Sequence, residues 1–214
     1  MCGILGILDH RNNVTPDDTL LKQSGYLLDH RGPDNCGVFA SEGIGLVHTR
    51  LSLIDLNPRS HQPFWDKSGR YTLVYNGEIY NFKELRSELE SQGIQFRTTS
   101  DTEVLLEWLL AHPKGKALER LEGMFAFALY DKLEESLFLG RDRFGIKPLF
   151  IFDGDDRFIF ASEIKAMRPW IAFEPDLLSI SSFLFGFGGP TKGHSFFRDI
   201  KILAPGSTVE VRKD

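Results

Sequence analysis

GMFAFALYD (123–131), ESLFLGRDRFGIKPLFIF (135–152) and RFIFASEI (157–164) follow one another with only short polar turns between them. Each mixes β-branched, aromatic and aliphatic residues between turn signals, as half-buried strands do. A parallel βαβ repeat needs a crossover of a dozen or more residues between strands, and none is present here. The stretch therefore predicts antiparallel strands in succession. Working outward, GIGLVHTRLSLIDL (43–56) and RYTLVYNGEI (70–79) carry the same pattern. Strands that follow strands, with helices only in between, indicate an α+β fold rather than an alternating α/β one.

The helices are readable from their ends. The first is predicted over 16–29, with Thr15 as cap and Pro16 at the first helical position. The second starts at an Asn81 cap with Glu84 three residues on, stacks Leu85 on Leu89, and ends at Gly93. The third has Ser100 and Glu103 at capping-box spacing, sets Val104, Leu105, Trp108 and Leu109 on one face, and closes at Pro113. A short fourth is expected over 116–121. The segment from about Trp170 changes character, and the core is expected over 2–170. Phe183, Phe185, Phe187, Phe196 and Phe197 crowd a Gly-rich stretch, followed by ILAPGSTVEVRKD, which reads as a short hairpin completing 171–214. Either these rings fold back on the domain or they form a surface that a partner covers.

The chain has 214 residues, long enough to bury roughly 70% of its unfolded surface. Two cysteines, Cys2 and Cys36, allow at most one bridge and no CxxC metal site, so a reducing, cytoplasmic setting is expected, with Cys36 as a buried bystander. A net charge of −5 with scattered Lys and Arg argues against nucleic acid. The apolar run CGILGIL is too short to span a bilayer. No metal cluster and no phosphate loop is legible, since GFGG near 187 lacks a strand–loop–helix setting.

Cys2 is the most informative residue. With Met1 removed it carries a thiol and a free α-amine, and an amine of pKa about 7.7–8.0 can act as the thiol's own base. No histidine stands at a cysteine-protease or zincin spacing. The opposing reading is a small buried strand residue. YNGEIYN (75–81) reads as a type I′ turn, or as a turn presenting the Asn76 side-chain amide and the Gly77 N–H as an oxyanion hole. Arg50 suits a sheet-edge charge or a bidentate carboxylate ligand. Asp101 is explained by the helix dipole alone. Arg141, Asp142, Arg143 and Lys147 read as a paired structural network.

In order along the chain, MCGILGI, HRGPDNCG, RLSLIDL, YNGEIYN, SDTEVLL, LEGMFAFALYD, RDRFGIKPLF and FASEIKA resemble the glutaminase domain of class II glutamine amidotransferases, of the asparagine synthetase type. The resemblance covers residues 2 to about 206. It implies an N-terminal-nucleophile hydrolase, a four-layer αββα sandwich of two antiparallel sheets. It implies loss of Met1, attack of Cys2 on glutamine, and release of ammonia through a thioester. By the same resemblance Asn76 and Gly77 form the oxyanion hole and Glu78 lines the glutamine pocket. Arg50 takes the substrate carboxylate, the backbone of Leu51, Ser52, Leu53 and Ile54 lines the pocket, and Asp101 takes the substrate amine. Arg31, Met124 and Ile146 are expected along the ammonia path, and the role of His30 to Asp34 stays open. LAPG stands where the family usually shows two prolines before the glycine. Family members continue into an ATP-using synthetase domain, so ATP and Mg²⁺ are expected there and no cofactor in this chain. The ammonia consumer is expected to be such a domain or a separate subunit, with a homodimer also compatible. A catalytically idle scaffold, or a glutaminase serving an acceptor other than aspartate, are the remaining readings.

Overall fold

The apolar strands after Gly123 do pair antiparallel, but they divide between two sheets. The computed structural model describes residues 1–11, 13–190 and 193–213. In chain order the strands are β1 (Gly3–Asp9), β2 (Asn35–Ser41), β3 (Ile44–Arg50), β4 (Phe64–Trp65), β5 (Tyr71–Ile79), β6 (Gly123–Asp131), β7 (Ser136–Arg141), β8 (Phe150–Asp153), β9 (Arg157–Ala161), β10 (Ile200–Ile202) and β11 (Thr208–Arg212). The helices are α1 (Asp18–Leu28), α2 (Phe82–Ser91), α3 (Asp101–Ala111), α4 (Lys114–Ala117) and α5 (Leu177–Leu184). One sheet has the order β10-β8-β9-β1-β3-β2 and the other β11-β7-β6-β5-β4, with every ladder antiparallel.

Period-two alternation explains the layers, because successive side chains leave a strand on opposite faces. Ile4, Leu8 and Leu46 of one sheet meet Val74, Ala126, Ala128 and Leu139 of the other in a core between the sheets. Leu5, Ile7 and Val47 point the other way, onto Leu21 and Leu28 of α1. Leu73, Phe127 and Phe138 likewise turn outward onto Leu85, Leu89, Val104 and Trp108 of α2 and α3. Helix, sheet, sheet and helix follow in that order, as the resemblance implied.

Several local expectations are corrected. YNGEIYN is no turn: Asn76 and Gly77 sit within β5, opposite Ala126 and Phe125 of β6. The run 43–56 stops being a strand at Arg50, and 135–152 splits into β7 and β8 in different sheets. The expected C-terminal hairpin is absent too, since β10 pairs with β8 in one sheet and β11 with β7 in the other. For the end of β5 and for β10 and β11 the partner strand is distant in sequence, so no local turn signal reports it. Helix α1 starts later than predicted, because Asp17 rather than Thr15 accepts the Thr19 N–H. Asn81 precedes α2, but its side chain bonds Arg120 and Glu122 across the loop instead of capping. Ser100 caps α3, whereas Glu103 turns away to accept from Arg97 and Thr98. Helix α4 begins at Lys114 and continues as a 3₁₀ turn, and α5 is a helix where only a loop was legible. The Phe-rich segment divides between its two readings. Phe197 packs on the α1-side core, while Phe183, Phe185 and Phe187 stay exposed. Cys36 is exposed rather than buried.

Candidate active site

Strand β5 outruns its edge neighbour. The two residues of β4 cover only Thr72 and Leu73, so the edge of β5 beyond them has no strand partner. In an antiparallel strand alternate residues direct their N–H groups to the same edge. Phe125, opposite Gly77, turns its own N–H and carbonyl toward Asp142, so Gly77 faces away from β6. The open edge therefore carries the N–H groups of Tyr75, Gly77 and Ile79. Tyr75 donates to Gln62 Oε1 at 2.6 Å and Ile79 to Asp101 Oδ2 at 3.2 Å. The Gly77 N–H lies between them and opens on a cavity of about 150 Å³ lined by Cys2, Arg50, Asn76, Gly77, Glu78 and Asp101 among others.

Asn76 is 1% exposed, and among the described residues neither polar atom of its carboxamide has a hydrogen-bond partner. Buried amides are nearly always satisfied, so an unpaired one aimed into a cavity is built for a guest. Cys2 reaches the same cavity by continuing β1 beyond Gly3, opposite the end of β3. The Leu51 N–H donates to Cys2 Sγ at 3.5 Å, and the thiol donates to the Leu51 carbonyl at 3.7 Å. Burial pushes the Cys2 thiol up, against the Leu51 bond, the chain's amino group and Arg50, which pull it down. His48 is no base for it. Its Nε2 donates to the Tyr75 carbonyl at 3.1 Å, and burial holds its pKa at about 3, so the ring is neutral.

Arg50 does more than offer a charge. Its guanidinium donates to the carbonyls of Asn57 (3.3 Å), Ile54 (3.4 Å) and Asp55 (2.5 Å), folding residues 51–57 into the cavity wall. Asp55, in the left-handed region at φ 48°, closes this loop by accepting the Thr99 N–H at 2.8 Å. The contacts with Thr99, Asn57 and Arg59 hold its carboxyl well below the usual carboxylate range despite burial. Asp101 is 5% exposed and ties α3 to β5 through the Tyr75 hydroxyl at 2.8 Å and the Ile79 N–H, so the helix dipole is not its whole explanation. Burial pushes its carboxyl up, offset by those bonds.

HRGPD, whose role the sequence left open, grips the start of the chain. Arg31 donates to the Cys2 carbonyl at 2.9 Å and to Glu163 at 2.8 Å, and Asp34 accepts the Ser52 N–H at 2.7 Å. A Cβ on Gly32 would lie 2.4 Å from the Thr49 carbonyl, so only glycine lets this loop press on β3. Of the residues expected on the ammonia path, Met124 lines the cavity, Arg31 is buried behind Cys2, and Ile146 is 54% exposed. Ser52 is outside the lining. The paired network of RDRFGIK is corrected: Arg141 donates to the carbonyls of Lys147, Gly145 and Leu203, and Asp142 accepts backbone N–H groups, without an ion pair between them among the described residues. Gln62, Tyr75, Thr102 and Lys147 also line the cavity; nothing in the sequence singles out Gln62 or Thr102, and the motifs that hold Tyr75 and Lys147 gave these two no place at the site. Only β5's missing edge partner could have drawn attention to Gln62 and Tyr75, and sequence does not display it. No cluster of His, Cys, Asp and Glu suited to a metal occurs among the described residues.

The family model for the glutamine amidotransferase domain matches residues 1–214. The chain belongs to this family. Within it, asparagine synthetase [glutamine-hydrolyzing] 1 of Bacillus subtilis (strain 168) is 39% identical over 217 residues, covering 100% of this chain and 34% of that protein. Asparagine synthetase B [glutamine-hydrolyzing] of Escherichia coli (strain K12) is 40% identical, over 79% of this chain and 30% of its own length. The amidotransferase chain thus spans about a third of the length of the curated relatives it matches. Among solved structures, glutamine phosphoribosylpyrophosphate amidotransferase from B. subtilis superposes with a TM-score of 0.70 at 21% identity, covering 99% of this chain and 47% of that one. That likeness is one of fold, and it confirms the two-sheet sandwich.

Proposed function

We propose that this amidotransferase domain hydrolyses the side-chain amide of L-glutamine to L-glutamate and ammonia, with Cys2 as nucleophile. One observation carries the reading: the Cys2 thiol shares an amino-acid-sized cavity with a buried, unpartnered carboxamide and a free-edge backbone N–H. Removal of Met1 leaves the α-amine and thiol on one residue. The amine takes the thiol proton and the sulfur attacks the amide carbon. The oxygen of the tetrahedral intermediate becomes an oxyanion between Asn76 Nδ2 and the Gly77 N–H, both of which gain a partner they otherwise lack. The α-ammonium then protonates the leaving nitrogen, ammonia departs, and a thioester to Cys2 remains. Water, deprotonated by the same amine, attacks the thioester and releases glutamate and the thiol.

The remaining cavity charges fit the other end of the substrate. Asp101 suits the α-ammonium, Arg50 the α-carboxylate, and Glu78 with the loop from Leu51 to Ile54 completes the pocket. We assign the ammonia to an asparagine-synthetase-type amidation, on a further domain or a separate subunit, supported by the names of the relatives. ATP and Mg²⁺ belong to that partner and no cofactor to this chain. Ammonia would leave past Met124, with Arg31 and Ile146 flanking the way. We place the reaction in the cytoplasm, in keeping with two unpaired cysteines.

The direct test is ammonia release from glutamine by the processed protein. Turnover is expected, and Cys2→Ala is expected to abolish it while leaving glutamine affinity measurable by calorimetry. Ammonia release that survives in Cys2→Ala refutes the mechanism. Native protein that binds glutamine without turning it over would establish the idle scaffold instead.

A further inference from the structure

Lys147 is 3% exposed, yet its ammonium has no oxygen acceptor among the described residues. Among the described residues its one polar contact is the thioether of Met1, 3.1 Å from Nζ. A thioether is a weak acceptor, and an ammonium kept out of water normally finds a carboxylate or carbonyls. The main chain leaves Lys147 no choice of direction. Its N–H donates to Asp142 Oδ2 at 3.0 Å, and its carbonyl accepts Arg141 Nε at 2.7 Å. Asp142 holds Phe144 and Ile146 by their N–H groups as well, so the loop is rigid and the side chain is aimed into the Cys2 cavity. Arg50, another cation of the lining, commits its guanidinium to three carbonyls.

We propose that Lys147 supplies a fixed positive charge that stabilises the Cys2 thiolate once Met1 has been excised, a role that rests on the glutaminase reading above. Excision removes the sulfur that now occupies the ammonium, and the sulfur left at that corner of the cavity is the nucleophile. The charged groups facing Lys147 are Cys2, Arg31, Asp142, Glu78 and the chain's amino group, and among the described residues neither carboxylate comes within ion-pair distance. Burial and Arg31 pull the Lys147 ammonium down, while a negative sulfur at Cys2 pulls it up. Coulombic coupling is mutual, so the ammonium favours the thiolate as the thiolate favours the ammonium. A cation placed there by rigid backbone costs no reorganisation when the thiol proton moves to the α-amine.

The test is the pH profile of Cys2 alkylation by iodoacetamide in the processed protein, read on the Cys2 peptide so that exposed Cys36 does not contribute. Lys147→Met preserves length and burial while removing the charge. It is expected to raise the midpoint by about one pH unit, with kcat/KM for glutamine falling near neutrality, and Lys147→Arg is expected to restore most of both. A purely packing role would change the melting temperature without moving the midpoint. Superimposable native and Lys147→Met profiles overturn the assignment, whatever the glutaminase activity. Failure of the native protein to release ammonia overturns the glutaminase reading, and the alkylation profile still decides the Lys147–Cys2 coupling. Should Lys147→Met not fold, the native rate ratio of iodoacetate to iodoacetamide decides. A ratio above that of free cysteine supports the fixed cation, and an equal ratio overturns it.

Discussion

Asn76 has its whole carboxamide buried without a partner, and the cost of that arrangement defines what the residue is for. Truncation to alanine removes the unpaired amide, so Asn76→Ala is expected to fold at least as stably as the native protein. Its kcat is expected to fall on the order of 10²–10³-fold, with little change in KM, because the lost donor acts on the oxyanion and not on the ground state. Steady-state kinetics with a thermal melt separates the two effects, and a loss confined to KM contradicts the oxyanion role. Cys2 could be found in the sequence by its position, and Asn76 by its motif. Gln62, Tyr75 and Lys147 could not, because nothing local distinguishes a glutamine that caps an orphan strand edge from one in solvent. Arg50 was legible as a charge that suits a carboxylate. Its three bonds to the backbone of 54–57, which shape the cavity, follow only from the chain reversing on itself there.

Between β5 and β6 the backbones run close at the site. A Cβ on Gly77 would lie 2.3 Å from the Met124 carbonyl and 2.7 Å from Phe125 Cα. These are main-chain atoms, so a methyl can be accommodated only by spreading the ladder. Gly77→Ala is expected to destabilise the domain by about 1–3 kcal/mol. Because the same shift moves the Gly77 N–H, kcat should fall further than the stability loss explains. Urea midpoints and kcat measured on one preparation check both, and an unchanged kcat would remove Gly77 from the oxyanion hole. The strand alternation in the sequence correctly announced β5, β6, β7 and β9 and the antiparallel pairing. The Asn-Gly pair misled, since it marks a hairpin only when the flanking residues pair with each other. Here they pair with β6, more than forty residues away.

Across the whole molecule, His48 lies between the two sheets and couples the site to the stability of the sandwich. Its pKa falls from the ordinary 6.5 to about 3 on folding, through burial. The unfolded chain therefore binds a proton that the folded one refuses, and stability declines as pH drops from about 6.5 toward about 3. The slope from this group is at most about 1.4 kcal/mol per pH unit. Glu163, pulled down to about 2 by Arg31, His30 and Lys165 against burial, adds a loss in the same direction below pH 4.5. Urea unfolding as a function of pH is expected to show this decline, and His48→Gln is expected to flatten its upper part. An unflattened profile would mean that His48 is not the group titrating there.

Composition, strand alternation and helix caps determined the antiparallel α+β class, because side-chain period and end signals are written within a few residues of where they act. Motif order also placed Cys2, Arg50, Asn76, Gly77, Glu78 and Asp101 as one set. Only the tertiary structure decided which strands share a sheet, that β5 presents a bare edge, and that Arg31 and Lys147 close around the start of the chain. Those features arise from contacts between residues far apart in the chain, and hydrogen bonds of that kind leave no periodic trace in the order of amino acids.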